Sequence, residues 1–442
     1  MRIRLSDHFN YRRLLRFALP SIAMMVFTSV YGVVDGFFIS NYVGKTPFAA
    51  VNFIIPFLML LGPIGFMLGA GGSALIGKYL GEGKSEAANA LFSMLIYLTV
   101  ALAVLIAAVG IWILEPAAKL LGADATMLPI CVRYGRILLL GMPALMLQFE
   151  FHSFFVTAEK PQMGLYVTVA AGCMNMLLDW LLVGILRLDV EGAALATVAS
   201  QAVGGIVPLF YFLRPNPSLL RIGKARFDGK ALRKVLGNGS SEFVSNVSMS
   251  VVSMLYNAQL MKYAGENGVS AYGVLMYVCF VFISIFVGYS VGTAPIVSYH
   301  FGAQNTQELR SLRHKSLWIL CVCSVLMVLT AQMLAKPLAR LYVGNDPELV
   351  KMTLRAFRIF GFSFLFAAIP IFGSSFFTAL NDGKTSALIS FLRTLVFQVG
   401  AVLLLPLAFG LDGIWYSLVV AELAASLVTW AFWRTKQSKY QY

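Results

Sequence analysis

Asp35 sits near the far end of an apolar run from about Phe17 to Tyr42, which is long enough to cross a bilayer as a helix. Thr28, Tyr31 and Asp35 recur at i, i+3 and i+7 and so share one helix face. An ionised aspartate at membrane depth costs several kcal/mol, so it requires a partner, a proton or a cation, unless it snorkels to the outer surface. Asn175 and Asp179 are i, i+4 partners on another apolar run. Thr197 and Tyr134 lie on two more. Counted from the span ends, Asp35, Asp179, Thr197 and Tyr134 fall within roughly 6–11 Å of the outer boundary at a ~1.5 Å rise per residue. Independent snorkelling would give the same depths. Two carboxylates buried near each other cannot both stay charged cheaply, so they share a proton or hold a cation. Asn175 and Thr197 would complete an all-oxygen set suited to a hard ion.

These side chains must be held by helices. The chain has 442 residues, 59% hydrophobic and 12% charged, with mean hydropathy +0.79. That excludes an ordinary soluble domain, and the long unbroken apolar runs exclude the alternation of an outer-membrane barrel. Twelve spans are expected, at approximately 14–41, 48–77, 90–113, 130–157, 163–186, 191–213, 237–262, 269–299, 316–335, 350–380, 386–409 and 412–433. The first run is too long for a cleavable signal and lacks its small-residue site. The net charge of +14 collects in loops, where it sets membrane orientation rather than marking nucleic-acid binding. Arg2, Arg4, Arg12, Arg13 and Arg16 precede span one, and Arg434, Lys436 and Lys439 follow span twelve. Both termini are therefore expected in the cytoplasm of a multi-pass cell-membrane protein. The five cysteines show no metal spacing, and the four histidines form no catalytic cluster, which speaks against an enzyme. No cofactor and no nucleic-acid partner are expected.

A basic segment divides the chain into an N-terminal lobe, 1–213, a linker, 214–235, and a C-terminal lobe, 236–442. The lobes repeat at an offset of roughly 220 residues. Gly71–Gly81 matches Gly292–Gly302, Arg133-Tyr-Gly-Arg-Ile matches Arg355-Ala-Phe-Arg-Ile, and Ser153-Phe-Phe matches Ser375-Phe-Phe. With six spans each, the lobes share one orientation. The expected fold is an all-α membrane protein of two six-helix bundles, related by a pseudo-twofold along the membrane normal, with substrate between them.

Pro20, Val34-Asp35-Gly, the Gly-rich end of span two through Gly81-Glu-Gly-Lys, Asn175-Met-Leu-Leu-Asp179 and Gly192-Ala-Ala-Leu-Ala-Thr197 occur in this order along essentially the whole chain. In these motifs the sequence resembles the MATE family, multidrug and toxic compound extrusion transporters, and most of all its bacterial MepA-type branch. The resemblance implies that Asp35, Asn175, Asp179 and Thr197 form the coupling-cation site, with Tyr134 nearby. Under the repeat offset Asp35 falls at Met254 to Tyr256, Asp179 at Gly400 or Ala401, and Thr197 near Leu418. Coupling is therefore expected in the first lobe alone. Pro20, Gly32 and Gly36 weaken span one, which is expected to bend or shift as that site fills.

The second lobe carries its own stripe on span seven: Glu242, Asn246, Ser250, Ser253 and Asn257. It either lines the interlobe cavity or serves as polar glue between helices. Tyr31, Met249 and Tyr256 are further candidates for the cavity wall, beside Met24, Met25 and Phe27. Glu150 is a secondary candidate for binding cationic substrates, although Tyr134 and Glu150 lie about 160° apart on an ideal helix unless Pro143 kinks the span. Arg393 and Glu422 lie at comparable depth on neighbouring spans and are expected to pair. The expected function is cation-coupled antiport, with H+ or Na+ as the ion, of lipophilic, often cationic small molecules by alternating access, carried out by a monomer in the lipid bilayer. A flippase for a lipid-linked precursor is the alternative, and its groove would need more bases.

Overall fold

The computed structural model describes residues 3–38, 60–121, 123, 125–343 and 346–442, with 42, 47, 50, 51, 54, 55, 57 and 58 between them. Side chains at 33, 35–38, 121 and 341–343 also lie outside the described set. Among the described residues the chain is helix and loop, without strand. Among the described residues eight helices are long and apolar enough to cross a membrane, and two bent pairs bring the total to ten. The helix Gly229–Gly302 holds two of the expected spans, seven and eight, with a break at Gly265 (φ 61°, ψ −151°). That left-handed backbone is open to a residue without Cβ. Span two, expected at 48–77, is described mainly as Pro63–Gly81. The twelve-helix, two-bundle plan follows.

The bends repeat between the lobes. Span four breaks at Gly141 into Met127–Leu140 and Met142–Thr157, bent by 53°, and span ten breaks near Gly361 into Pro347–Phe360 and Ser363–Ala379, bent by 48°. Pro143 lies in the first turn after the break, where a missing N–H costs nothing. Spans five and eleven are helices wound locally into π turns, at Asp179–Ile185 and Leu392–Phe397. The arginines matched in sequence perform matched tasks. Arg133 pairs with Glu191 at 3.3 Å, and Arg355 pairs with Asp412. Each ties the start of the lobe's fourth span to the start of its sixth.

Within the basic segment 214–235 a helix begins. Asp228 caps the next helix from Gly229, accepting hydrogen bonds from the Lys230 and Ala231 N–H groups at 2.9 and 3.0 Å. The basic density of the segment hid that start signal.

The lobes meet at the end that carries the basic loops. A Cβ built on Gly81 would lie 2.0 Å from the Tyr299 carbonyl oxygen, and one built on Gly302 would lie 2.1 Å from that of Lys78. These two contacts exchange under the repeat. Only glycine permits so close a backbone approach.

A second tie crosses the same end. Leu5 and Phe9 are fully buried within the second lobe's core. The Leu5 N–H donates to Glu159 of the first lobe at 2.7 Å, and the Phe9 N–H donates to Glu308 of the second at 2.9 Å. His8 Nδ1 lies 2.6 Å from the other Glu308 oxygen. Residues 5–9 thus bridge the lobes. Glu308→Ala leaves a buried N–H without its acceptor and is expected to cost about 1–3 kcal/mol. A lower melting temperature and faster amide exchange at Phe9 are the expected readings, and an unchanged Phe9 exchange rate would remove the bridge from the account.

The last helix, Leu411–Tyr440, folds its end back on this surface. Asp382 caps span eleven through Thr385, accepts the Tyr440 hydroxyl at 2.8 Å and lies 3.5 Å from Lys436. Burial alone would raise its pKa, but the hydroxyls, the Thr385 N–H and the Lys436 charge together hold it below the usual carboxylate value. A depressed folded pKa stabilises above the unfolded value of about 3.9, and the gain is lost as pH falls through the folded one. Tyr440→Phe is therefore expected to cost about 1 kcal/mol near neutral pH. Parallel thermal melts of the two proteins should converge on acidification; a gap independent of pH would contradict the assignment.

Candidate functional sites in the two lobes

In the first lobe, span one presses on span five. A Cβ on Gly172 would lie 2.4 Å from the Phe27 ring and 3.0 Å from the Tyr31 ring. Asn175 and Asp179 follow one and two turns beyond Gly172 on the same face, and both are buried. Asp35 follows Tyr31 by one turn on span one, so its backbone falls level with them. Its side chain lies outside the described residues. Asn175 Oδ1 is buried and has no protein hydrogen-bond donor among the described residues.

Asp179 opens the π turn. Such wider turns rotate the following side chains and concentrate at functional positions. Tyr134 is buried in a cluster with Val190 and with Val183, Ala193 and Ala194, of which the last three lie about one turn from Asp179 or Thr197 in sequence. The Thr197 hydroxyl donates to the Ala193 carbonyl at 3.0 Å and keeps its oxygen lone pairs available. Span six, which bears Thr197, packs against both span four's first half, which bears Tyr134, and span five, which bears Asn175 and Asp179. A carboxylate, an amide oxygen and a hydroxyl fit a proton or a small hard cation.

A separate cavity of about 270 Å³ lies mainly in the second lobe, with Met25 and Phe66 of the first lobe completing its wall. Glu242, Asn246, Met249, Ser253 and Tyr256 all line it. The helix phase is tighter than the polar stripe implied. Met249 and Tyr256 take the places of their neighbours Ser250 and Asn257 in the stripe, which do not line the cavity. Tyr256 stacks on Tyr272 with centroids 5.1 Å apart and planes 3° from parallel, and its hydroxyl meets Ser417 Oγ at 2.6 Å. The expected pair of Arg393 and Glu422 is present. Arg393 Nε reaches both carboxylate oxygens, at 3.0 and 2.9 Å, and Nη2 reaches one at 2.8 Å. Both residues also line the cavity, a role that only their membrane depth signals in the sequence.

Two candidates lie elsewhere. Glu150 is fully buried, its Cα 2.9 Å from a Cβ built on Gly69, in the seam between spans two and four. Neither carboxylate oxygen has a hydrogen-bond partner among the described residues. It does not reach the second-lobe cavity. Tyr31 lies against Gly172 in the seam of spans one and five, also away from that cavity.

Two six-span bundles of parallel repeat, each with polar groups buried at membrane depth, define a membrane transporter. The chain belongs to the MatE family, whose profile matches residues 20–181 and 243–403. This is a family of transporters, not enzymes. Among its relatives is the multidrug export protein MepA of Staphylococcus haemolyticus (strain JCSC1435), 24% identical over 413 residues, covering 93% of this chain and 90% of that one. Another is MepA of Staphylococcus saprophyticus, 24% identical over 430 residues, with 95% and 93% covered. A solved structure described as an outward-facing conformation of a multidrug resistance MATE family transporter of the MOP superfamily superposes with TM-score 0.94 at 21% identity, over 99% of this chain and 98% of that one. That last likeness concerns the fold.

Proposed function

We propose that the chain is a multidrug exporter, a secondary antiporter that moves lipophilic, often cationic compounds outward against an inward flow of H+ or Na+. The observation that carries this reading is the position of span one between two polar sites. Met25 lines the second-lobe cavity, while Phe27 and Tyr31, less than two turns further on, press against the span that bears Asn175 and Asp179. Span one is a shared wall. Loading the first-lobe acids with a proton or cation changes how spans one and five pack, and a shift of span one reshapes the cavity. Two sites coupled through one element need only differ in affinity between its two positions. Tyr134 beside the Asp179 turn offers a hydroxyl relay, which favours the proton.

With the basic loops cytoplasmic, the contacts at Gly81 and Gly302 and the bridge of residues 5–9 close the inner side. Export then requires that closure to open, receive substrate and close again. The protein acts in this reading as a monomer in the cell membrane, with both termini inside. The flippase reading is weaker. Among the described cavity-lining residues Arg393 is the one cation, and Glu422 already neutralises it.

Alternating access is tested by labelling Ser253→Cys, in a cysteine-free background, with a membrane-impermeant maleimide from each side of oriented vesicles. Outer labelling is expected at rest, and inner labelling under an imposed gradient with substrate present. Labelling from one side under every condition would refute the cycle.

A further inference from the structure

We propose that the basic segment joining the lobes docks on the anionic phospholipid headgroups of the leaflet beside it. Lys224, Arg226 and Lys230 take the phosphates, and Phe227 enters the interface between them. The inference does not depend on the export reading, and its test involves no transport.

The first part of the segment is fixed to span three, the helix Ser85–Leu121. Leu220 and Ile222 are buried in the first-lobe core with Leu91, Phe92 and Leu95 of that helix. The Arg221 N–H donates to Asn89 Oδ1 at 2.7 Å, and the Gly223 N–H donates to Ser93 Oγ at 2.9 Å. One turn further along span three, the Tyr97 hydroxyl donates to the Gly223 carbonyl at 3.2 Å. From Asn89 to Tyr97 these contacts cover roughly 12 Å of helix at a rise of 1.5 Å per residue.

Span three itself marks where the lipid begins. Residues 91–96 are all buried, and from there on Tyr97, Ala101, Val104, Leu105, Ala108 and Val109 are exposed in one apolar stripe of helical period. A bare apolar stripe on a spanning helix faces acyl chains. The segment meets span three at Tyr97, the first residue of that stripe, and so lies at headgroup level.

Past Gly223 the side chains turn outward, and every residue from Lys224 to Lys230 is exposed. Phe227 is 73% exposed, and aromatic rings gather at the membrane–water interface. Lys224, Arg226 and Lys230 flank it, and none of them forms an ion pair among the described residues. Arg226, Phe227 and Lys230 line a groove of about 780 Å³ together with Ala90, Leu91 and Met94 of span three. Two acids also line it, Glu86 and Asp228, and Asp228 Oδ1 already accepts the Lys230 and Ala231 N–H groups. Over 221–234 as a whole, six cations stand against Asp228 alone. Cations beside an exposed ring and an apolar groove match a phosphodiester that continues into acyl chain. A soluble anion would use the cations but neither the ring nor the groove.

The test uses the full chain in vesicles, carrying a bimane on Ala225→Cys in a cysteine-free background. Quenching by nitroxide-labelled phosphatidylglycerol is compared with quenching by equally labelled phosphatidylcholine. Phosphatidylglycerol is expected to be preferred at least about tenfold, since each cation near an anionic surface contributes on the order of fivefold. In Lys224→Gln/Arg226→Gln/Lys230→Gln, which alters exposed side chains only, the preference should fall to about twofold or less. Arg434→Gln/Lys439→Gln, which removes cations from the end of span twelve, should leave it unchanged. Phe227→Ser should weaken quenching by both lipids alike. No quenching by either lipid, equal quenching by both, a preference that survives the triple variant, an equal loss in the span-twelve variant, or an unchanged signal in Phe227→Ser would overturn the proposal. A preference abolished by inorganic phosphate at constant ionic strength would assign the cations to a soluble anion and overturn it too.

Discussion

Asp179→Asn and Asp35→Asn are each expected to reduce gradient-driven export to the level of protein-free vesicles while leaving equilibrium substrate binding largely intact. Asp179 is fully buried at the start of a π turn, one turn beyond the buried Asn175 oxygen, which has no donor among the described residues. An amide keeps the shape of the carboxyl but carries no exchangeable carboxyl proton, and it is a weaker ligand for Na+. The load that drives span one is thereby removed. Binding in the second-lobe cavity survives because none of its lining residues is replaced. Replacing Glu150, which lies in a seam remote from that cavity, is expected to change stability rather than coupling. Wild-type export by both aspartate variants would remove the first-lobe site from the mechanism.

Gly81→Ala or Gly302→Ala is expected to open the basic side of the molecule and abolish productive cycling. The new Cβ would meet a backbone carbonyl at 2.0 or 2.1 Å, so no side-chain rotation relieves it and the helices must separate. Forcing atoms into a packed contact costs about 1–3 kcal/mol. That is comparable to the gap between two conformations of a transporter, so populations shift. Spin labels at Glu86 and Gln307, exposed on that side in the first and second lobes, report the change as a longer distance. A wild-type distance distribution together with full export would show that the close approach is dispensable.

The gross plan was legible because it rests on coarse signals. Apolar runs set the spans, and glycine and arginine matched at one offset set the repeat. The structure gives those matches their physical reason, in the reciprocal contacts of Gly81 and Gly302 and in the paired bridges of Arg133 and Arg355. Finer positions failed where the helix departs from ideal. The stripe from Glu242 tracks the cavity but drifts by one residue at Met249 and Tyr256, since helical phase accumulates over four turns. Span four breaks at Gly141, so an ideal wheel could not tell which seam Glu150 would enter. Arg393 lies in a π turn, and that winding is not written in spacing. The bridge of residues 5–9 was not anticipated either. His8 and Glu308 are 300 residues apart, and only the folded lobes bring them to 2.6 Å.

The central claim is that flow of a cation through the first lobe drives export through the second. It is tested most directly by reconstituting the wild-type protein in vesicles loaded with a fluorescent lipophilic cation and imposing a pH gradient and a Na+ gradient separately. At least one gradient, and by this account the proton gradient first, should drive export that Asp179→Asn abolishes. Equal efflux with and without either gradient, or gradient-driven efflux that persists in Asp179→Asn, would contradict the account.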